Sequence, residues 1–249
     1  MIIDAHTHIN CDELYQERKE IIQRAIDNKV VAVFNTADSL NSFKNIDILQ
    51  KEYPNYCYGV YGIHPEFASS TNFTEVEEEI IKRKNIIKAI GEIGLDYHYP
   101  INETEKNNQK DIFISQICLA KKLNLPIVIH SRDADKGTFD ILCQYAQDMK
   151  VYLHCYSGSY EMAKEYIKKI PNIHFGVGGI VTFKNAKKLV EVVEKIDLKY
   201  FLTETDAPYL TPVPFRGKQN EPSYLIYVIN KISELKNCLL YTSPSPRDS

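Results

Sequence analysis

His6 and His8 are separated by a single residue, Thr7, just after a short apolar opening. Side chains alternate along an extended strand, so residues i and i+2 face the same way. Two imidazoles side by side make half of a metal site, although two unrelated buried histidines would give the same spacing. Four further donors follow. Glu92 closes an apolar run within Gly91-Glu92-Ile93-Gly94-Leu95-Asp96, and His130 follows Ile127-Val128-Ile129. His154 follows Val151-Tyr152-Leu153, and Asp206 comes shortly after Leu202-Thr203. A carboxylate at the end of an apolar strand is costly to bury unless it is paired or coordinates a cation. A salt-bridged structural Glu is the plainer alternative. Four histidines, one Glu and one Asp are too many for one tetrahedral catalytic zinc with an open position. They suit two divalent ions sharing a bridging carboxylate, and the chemistry of such a pair is hydrolysis by an activated water.

The elements that must position these residues alternate along the whole chain. Short apolar runs at Ile2 to Ala5, Val30 to Asn35, Cys57 to Tyr61, Ile86 to Glu92, Pro126 to Ile129, Val151 to Leu153, Ile173 to Gly176 and Tyr200 to Thr203 read as strands. Between them lie amphipathic segments such as Tyr15 to Asn28, Thr104 to Leu123, Glu161 to Ile170 and Lys184 to Glu194. A βαβα alternation implies a parallel sheet. Eight units without a compositional break favour an α/β fold of one domain, a single (β/α)8 TIM barrel over residues 1–236. The C-terminal ends of barrel strands converge on one mouth, and all six donors fall at or just beyond such ends. The Ser-Pro repeats within residues 237–249 cannot hold a helix, and this stretch reads as a non-native or disordered tail.

Composition narrows the partners. Thirty basic residues against 33 acidic give a formal charge of −3, so no overall cationic field gathers nucleic acid or an anionic membrane. Contact with a polyanion must come from a local patch or from bound metal. The six cysteines form no C-x-x-C pair, and they read as free thiols in a reducing compartment. There is no basic region with a long apolar run behind it, so the expected location is cytoplasmic, or nuclear, with no membrane contact. No stable protein partner is implied, and a monomer is expected.

The motifs Asp4-Ala5-His6-Thr7-His8, Gly62-Ile63-His64-Pro65, Gly91-Glu92-Ile93-Gly94-Leu95-Asp96, His130-Ser131-Arg132, His154-Cys155-Tyr156-Ser157-Gly158, Glu204-Thr205-Asp206-Ala207-Pro208-Tyr209-Leu210 and Arg216-Gly217-Lys218-Gln219-Asn220-Glu221-Pro222 together resemble the TatD family of metal-dependent deoxyribonucleases. The match runs in order from residue 1 to about 236. It implies a TIM-barrel hydrolase with a divalent-metal centre, cleaving phosphodiester bonds in DNA, often from the 3′ end of single strands. By motif position it implies His6, His8, Glu92, His130, His154 and Asp206 as metal ligands. Against that pattern, the family's closing helix beyond the Asn-Glu-Pro segment is expected to be cut short here.

These readings assign roles. His6, His8 and Asp206 are expected on one ion and His130 and His154 on the other, with Glu92 bridging and Asp206 also taking the proton of the attacking water. Magnesium, manganese and zinc all remain open as the metal. His64 is expected to touch the scissile phosphate, or else to shape its own turn. Arg132 is expected to bind phosphate, or else to pair with Glu92 or Asp96. Arg216 and Lys218, on a proline-rich segment after the last strand, are placed to meet a DNA backbone, and Tyr209 to stack on a base. Asp96 reads as an orienter of a histidine. Cys155 is expected to point away from the site, and His98 and His174 to be structural or exposed. Two other functions compete. One is a metal-dependent amidohydrolase or deacylase acting on an ester or amide, including aminoacyl-RNA. The other is a non-catalytic metal or nucleic-acid binder. Binuclear amidohydrolases commonly use a carbamylated lysine as the bridge, whereas Lys88 lies four residues before Glu92, too early to reach the same end.

Overall fold

The computed structural model describes residues 2–238. Strands β1 (Ile2–Thr7), β2 (Val30–Thr36), β3 (Cys57–Tyr61), β4 (Ile87–Asp96), β5 (Ile127–Arg132), β6 (Val151–Leu153), β7 (Ile173–Val177) and β8 (Phe201–Thr203) stand in one sheet in chain order. Every ladder is parallel. The helices between them include α1 (Asp12–Tyr15), α2 (Arg18–Asp27), α3 (Leu40–Glu52), α4 (Phe73–Lys82), α5 (Glu103–Leu123), α6 (Asp135–Tyr145), α7 (Tyr160–Lys169), α8 (Lys187–Lys195) and α9 (Leu225–Lys236). This is the expected (β/α)8 barrel. The ladders run from β1 to β8, and the seam between β8 and β1 is joined differently. Thr205 N–H donates to Asp4 Oδ1 at 2.9 Å, Asp206 N–H to the His6 carbonyl at 3.0 Å, and His8 N–H to the Ala207 carbonyl at 2.8 Å.

Apolar packing follows the two-layer logic of the fold. Phe43, Tyr61, Phe113 and Phe175 anchor one core between sheet and helices. Ile9, Ile22, Val193 and Val228 anchor a second, where α2, α8 and α9 cover the seam. A smaller cluster of Val60, Ala89, Val128 and Tyr152, with Ala5 and Phe34 against it, draws on six strands and fills the barrel interior. Among the described residues no helix is long and apolar enough to cross a membrane.

Several element bounds differ from the sequence reading. The segment Tyr15 to Asn28 is broken at Gln16-Glu17 into α1 and α2, and α8 begins at Lys187. The fourth strand does not end at Glu92. It continues to Asp96, with a register shift against β5 between Ile90 and Ile93, so that Glu92 sits at an irregularity inside the strand. Gly94 allows the continuation: its φ is +149°, and a Cβ there would lie 1.9 Å from the His130 carbonyl oxygen. Of the expected tail, Asn237 and Cys238 instead finish α9. Asn237 takes a left-handed φ of 48°, and Cys238 N–H donates to the Ser233 carbonyl at 3.1 Å. The remainder of the tail lies outside the described residues.

Candidate metal centre

All six expected donors converge at the C-terminal mouth of the barrel, and they fall into two groups around Glu92. His6 Nε2 and His8 Nε2 face each other at 3.1 Å. Asp206 Oδ1 lies 3.6 and 3.5 Å from these two nitrogens, and Glu92 Oε2 lies 3.4 and 3.7 Å from them. The other oxygen, Glu92 Oε1, is 2.6 Å from His130 Nδ1 and 2.6 Å from His154 Nε2, which are 3.4 Å apart. Each carboxylate oxygen of Glu92 therefore serves a different pair of imidazoles.

The donor set fits a divalent-metal centre. His8 Nδ1 lies 2.9 Å from the Thr36 carbonyl, which must accept, so the ring proton sits on Nδ1 and Nε2 keeps its lone pair for a cation. Asp96 Oδ2 is 3.0 Å from His130 Nε2 and fixes that ring from behind, the orienting role expected of it. With side chains alone to balance the charges, the cluster is strongly polarised. Burial opposes protonation of His8 and His130, but Asp206 and Glu92 at the first and Asp96 and Glu92 at the second lift both to about 9. Burial and the neighbouring His154 push His6 down to about 4. Burial also works against the charge of Glu92, yet the surrounding histidines hold it well below the usual carboxylate range, and Asp206 is lowered similarly by His8. Two buried, ionised carboxylates encircled by imidazoles form a site with high demand for positive charge.

The expected substrate contacts are less uniform. His64 Nε2 lies 3.9 Å from Glu92 Oε1, and its ring is edge-on to His130 at 4.3 Å. Its Nδ1 accepts the Glu66 N–H at 3.2 Å, so Nε2 carries the proton and faces the mouth as a donor. His64 thus caps its own turn and also borders the site. Arg132 makes no ion pair with Glu92 or Asp96. Its guanidinium is exposed and lies 5.8 Å from the Tyr99 ring centre, because Asp96 is already taken by His130 and by the His98 N–H. Arg216 lies over Phe183 at 3.9 Å and Lys218 near Phe215 at 5.4 Å, both with their charge toward solvent. Tyr209 meets His8 edge-on at 6.4 Å. His98 is exposed and pairs with Asp133 at 2.9 Å. At Cys155 the alternation argument does not apply. β6 ends at Leu153, so strand alternation does not govern Cys155, whose φ is 46°. Burial and the nearby carboxylates of Asp206 and Glu204 push its thiol well up, which keeps it protonated and unsuited to nucleophilic attack. Lys88 is exposed beside Tyr58 at 5.6 Å, away from the donors.

Three groups were missed from sequence. Asp4, fully buried, accepts from Thr205 N–H and from Thr205 Oγ1 at 2.5 Å. Glu204, also fully buried, accepts the Cys155 N–H at 2.6 Å and the Tyr152 hydroxyl. Burial raises both carboxyls to about 7. Between them they tie β1, β6 and β8 together at the points where His6, His154 and Asp206 emerge. The third is Asn220, whose amide donates to the Thr205 carbonyl at 2.8 Å and the Tyr209 carbonyl at 2.6 Å, fixing the segment after Asp206. The signal for the two carboxylates lay in spacing: Asp4 precedes His6, and Glu204 precedes Asp206, by two residues.

Comparison with known proteins agrees with this geometry. Residues 3–241 match the family described as TatD related DNase. A Bacillus subtilis protein known as the uncharacterised metal-dependent hydrolase YabD is 41% identical over 240 residues, covering 95% of this chain and 91% of its own. The crystal structure of YJJV, a TatD homologue from Escherichia coli, superposes with a TM-score of 0.85 at 27% identity, covering 94% of this chain and 90% of its own. A TatD family hydrolase from Entamoeba histolytica shares the fold, with a TM-score of 0.83 at 22% identity, covering 95% and 92% of the two chains. A barrel whose mouth gathers buried histidines and carboxylates, matched along nearly its whole length, belongs to the TatD family of metal-dependent hydrolases.

Proposed function

We propose that this protein is a deoxyribonuclease that hydrolyses phosphodiester bonds, working from the 3′ end of single strands with two divalent ions. The observation that carries this is the division of Glu92, one oxygen toward His6 and His8 and the other toward His130 and His154. A phosphodiester is already anionic and resists attack. A pair of bound divalent ions would supply an activated water and stabilise charge on the phosphoryl oxygens. In this reading His6, His8 and Asp206 would hold one ion and His130 and His154 the other, with Glu92 available to both. The Asp206 carboxylate accepts the proton of the attacking water. His64, held neutral at pH 7 because burial and His130 bring it to about 4, donates through Nε2 to a phosphate oxygen. Arg132 and Arg216 receive the flanking phosphates at the mouth. Magnesium, manganese or zinc would serve this donor set. The free cysteines accord with a reducing compartment, and the chain acts as a monomer on DNA.

The experiment is hydrolysis of a labelled single-stranded DNA by protein stripped with EDTA and reloaded in turn with magnesium, manganese and zinc, with Glu92→Ala and Asp206→Ala alongside. Metal-restored cleavage from the labelled strand's 3′ end, lost in both variants while their circular dichroism is unchanged, is the expected result. Cleavage by purified Glu92→Ala overturns the assignment. A folded wild type that binds metal, cleaves esters and leaves DNA intact redirects it to a deacylase.

A further inference from the structure

Among the large apolar side chains of the described residues, the two most exposed are Tyr99 at 64% and Tyr209 at 53%. Solvating an aromatic ring is unfavourable, and both rings stand at the mouth of the barrel. Tyr99 follows β4 and Tyr209 follows β8, and strands four apart in an eight-stranded barrel face each other across its axis. Tyr209 borders one half of the donor cluster, and Tyr99 follows the strand end that is tied to the other half. Tyr209 meets His8 edge-on. Tyr99 is linked to the other half through Asp96, whose Oδ2 contacts His130 Nε2 at 3.0 Å while its Oδ1 accepts the His98 N–H at 2.9 Å.

Both rings are held in place by their backbones. The strand end before Tyr99 is clamped by Gln109, which accepts the Asp96 N–H at 2.9 Å and donates to the Asp96 carbonyl at 3.0 Å. Tyr97 N–H donates to the Arg132 carbonyl, and His98 is tied to Asp133. Arg132 lies over the Tyr99 ring and leaves the rest of it in solvent. On the opposite side Asn220 clamps the Tyr209 carbonyl. Neither ring packs into a core, and neither hydroxyl has a hydrogen bond among the described residues. Tyr99 meets the His98 ring at 5.0 Å and Arg132 at 5.8 Å, Tyr209 meets His8 at 6.4 Å, and the rest of each ring faces solvent.

We propose that Tyr99 and Tyr209 are stacking surfaces for the two nucleobases on either side of the scissile phosphate. This rests on the phosphodiester reading above. A phosphate centred on Glu92 sends its two nucleosides toward opposite rims of the mouth, where these rings stand. Arg132, over Tyr99, is placed to meet the next phosphate on that side. Every base has a π-face, so such a platform recognises the strand without reading its sequence. It requires bases splayed apart, which selects a single strand over a duplex.

The test is steady-state cleavage of a short single-stranded oligothymidylate by the full manganese-loaded protein. Tyr99→Ala and Tyr209→Ala are each expected to raise KM roughly 5- to 100-fold, the span of base–aromatic stacking losses, with the larger effect in KM than in kcat. Tyr99→Phe and Tyr209→Phe keep the wild-type KM, because stacking uses the ring and not the hydroxyl. A strand made abasic at the nucleotide flanking the scissile bond costs the wild type the same factor. On that strand the corresponding Ala variant loses nothing further, the non-additivity expected of two groups in contact. Both positions are on the surface, and an unchanged melting temperature checks that the variants fold. KM within about twofold of wild type in both Ala variants, with the wild type cleaving the strand, overturns the platform and leaves the phosphodiester reading standing. A wild type that neither binds nor cleaves the strand overturns that reading and the platform with it.

Discussion

Gly176, on β7, lies under the side chain of Glu204 as that carboxylate crosses from the end of β8 to grip the exit of β6. A Cβ at position 176 would fall 2.6 and 2.7 Å from the two carboxylate oxygens and 2.8 Å from the Cys155 nitrogen. The carboxylate has no room to retreat, since it is held by the Tyr152 hydroxyl and the Cys155 N–H. Gly176→Ala therefore overpacks a closed site, at about 1–3 kcal/mol. Pushing the carboxylate aside also leaves the Cys155 N–H without an acceptor, at about 1–3 kcal/mol more. For a chain of this length each kcal/mol lowers the melting temperature by roughly 2–4 °C, so the loss should be about 4–24 °C. Because His154 and Asp206 leave the barrel at the two ends of this bridge, manganese affinity should fall as well, by roughly 10- to 100-fold, as when partners of metal ligands are removed. Scanning calorimetry of the stripped protein and titration calorimetry with manganese read the two effects. Gly178→Ala is the internal control. The three atoms nearest its new Cβ all belong to Glu204, at 3.4 to 3.6 Å, in ordinary contact, and it should behave as wild type in both assays. A Gly176→Ala protein that melts and binds manganese like Gly178→Ala would refute the bridge as a support of the site.

Removal of metal should expose a pH dependence. His8 and His130 have folded values of about 9, above the ordinary 6.5. Their contribution to stability is complete below about pH 6.5 and is lost as pH rises through 9, since the folded state holds the extra protons. Asp4 and Glu204, raised to about 7, lose theirs earlier, between their ordinary values and pH 7, whereas the lowered His6 and His64 act only below 6.5. The melting temperature of EDTA-stripped protein should thus fall from pH 6.5 to 9, and manganese should reverse the trend because protons compete with it for the imidazoles. A flat or rising profile in stripped protein would contradict this. Gln116, fully buried, accepts the Ile63 N–H at 2.8 Å and donates to the Ile63 carbonyl at 3.1 Å, just before His64. Gln116→Ala should cost about 2–6 kcal/mol in urea unfolding, the sum for two orphaned backbone groups, and a loss under 1 kcal/mol would show that the clamp is dispensable.

Much of this arrangement was legible from the chain. Short Val/Ile runs alternating with amphipathic segments mark a parallel barrel, because both faces of such strands are covered and each crossover needs a helix. His6, His130 and His154 were findable because each directly follows an apolar run. Glu92 was found, but its place inside β4 was not: the register shift and the continuation to Asp96 depend on Gly94 meeting the His130 carbonyl, a tertiary contact with no local signature. Asp4 and Glu204 read from sequence like two more acidic residues beside ligands. Their separate task, gripping backbone and hydroxyl groups across strands, needs partners far off in sequence, 201 residues apart for Asp4 and Thr205. Arg132 could not be settled from spacing, since both outcomes considered for it hung on whether Asp96 was already taken.

The join between β8 and β1 carries a thermodynamic consequence. Elsewhere the barrel wall is a continuous parallel ladder, but here it is sewn by Asp4 with Thr205, by the His6 carbonyl with Asp206 and by His8 with Ala207. Three of the six candidate metal donors are therefore the stitches of the wall itself. Ligation and closure draw on one cooperative unit, so the free energy of opening this seam rises with the free concentration of metal. Amide hydrogens of residues 205–207 become a gauge of occupancy, exchanging slowly in the loaded protein and faster as metal is withdrawn, while the β3 to β5 ladders opposite keep their protection.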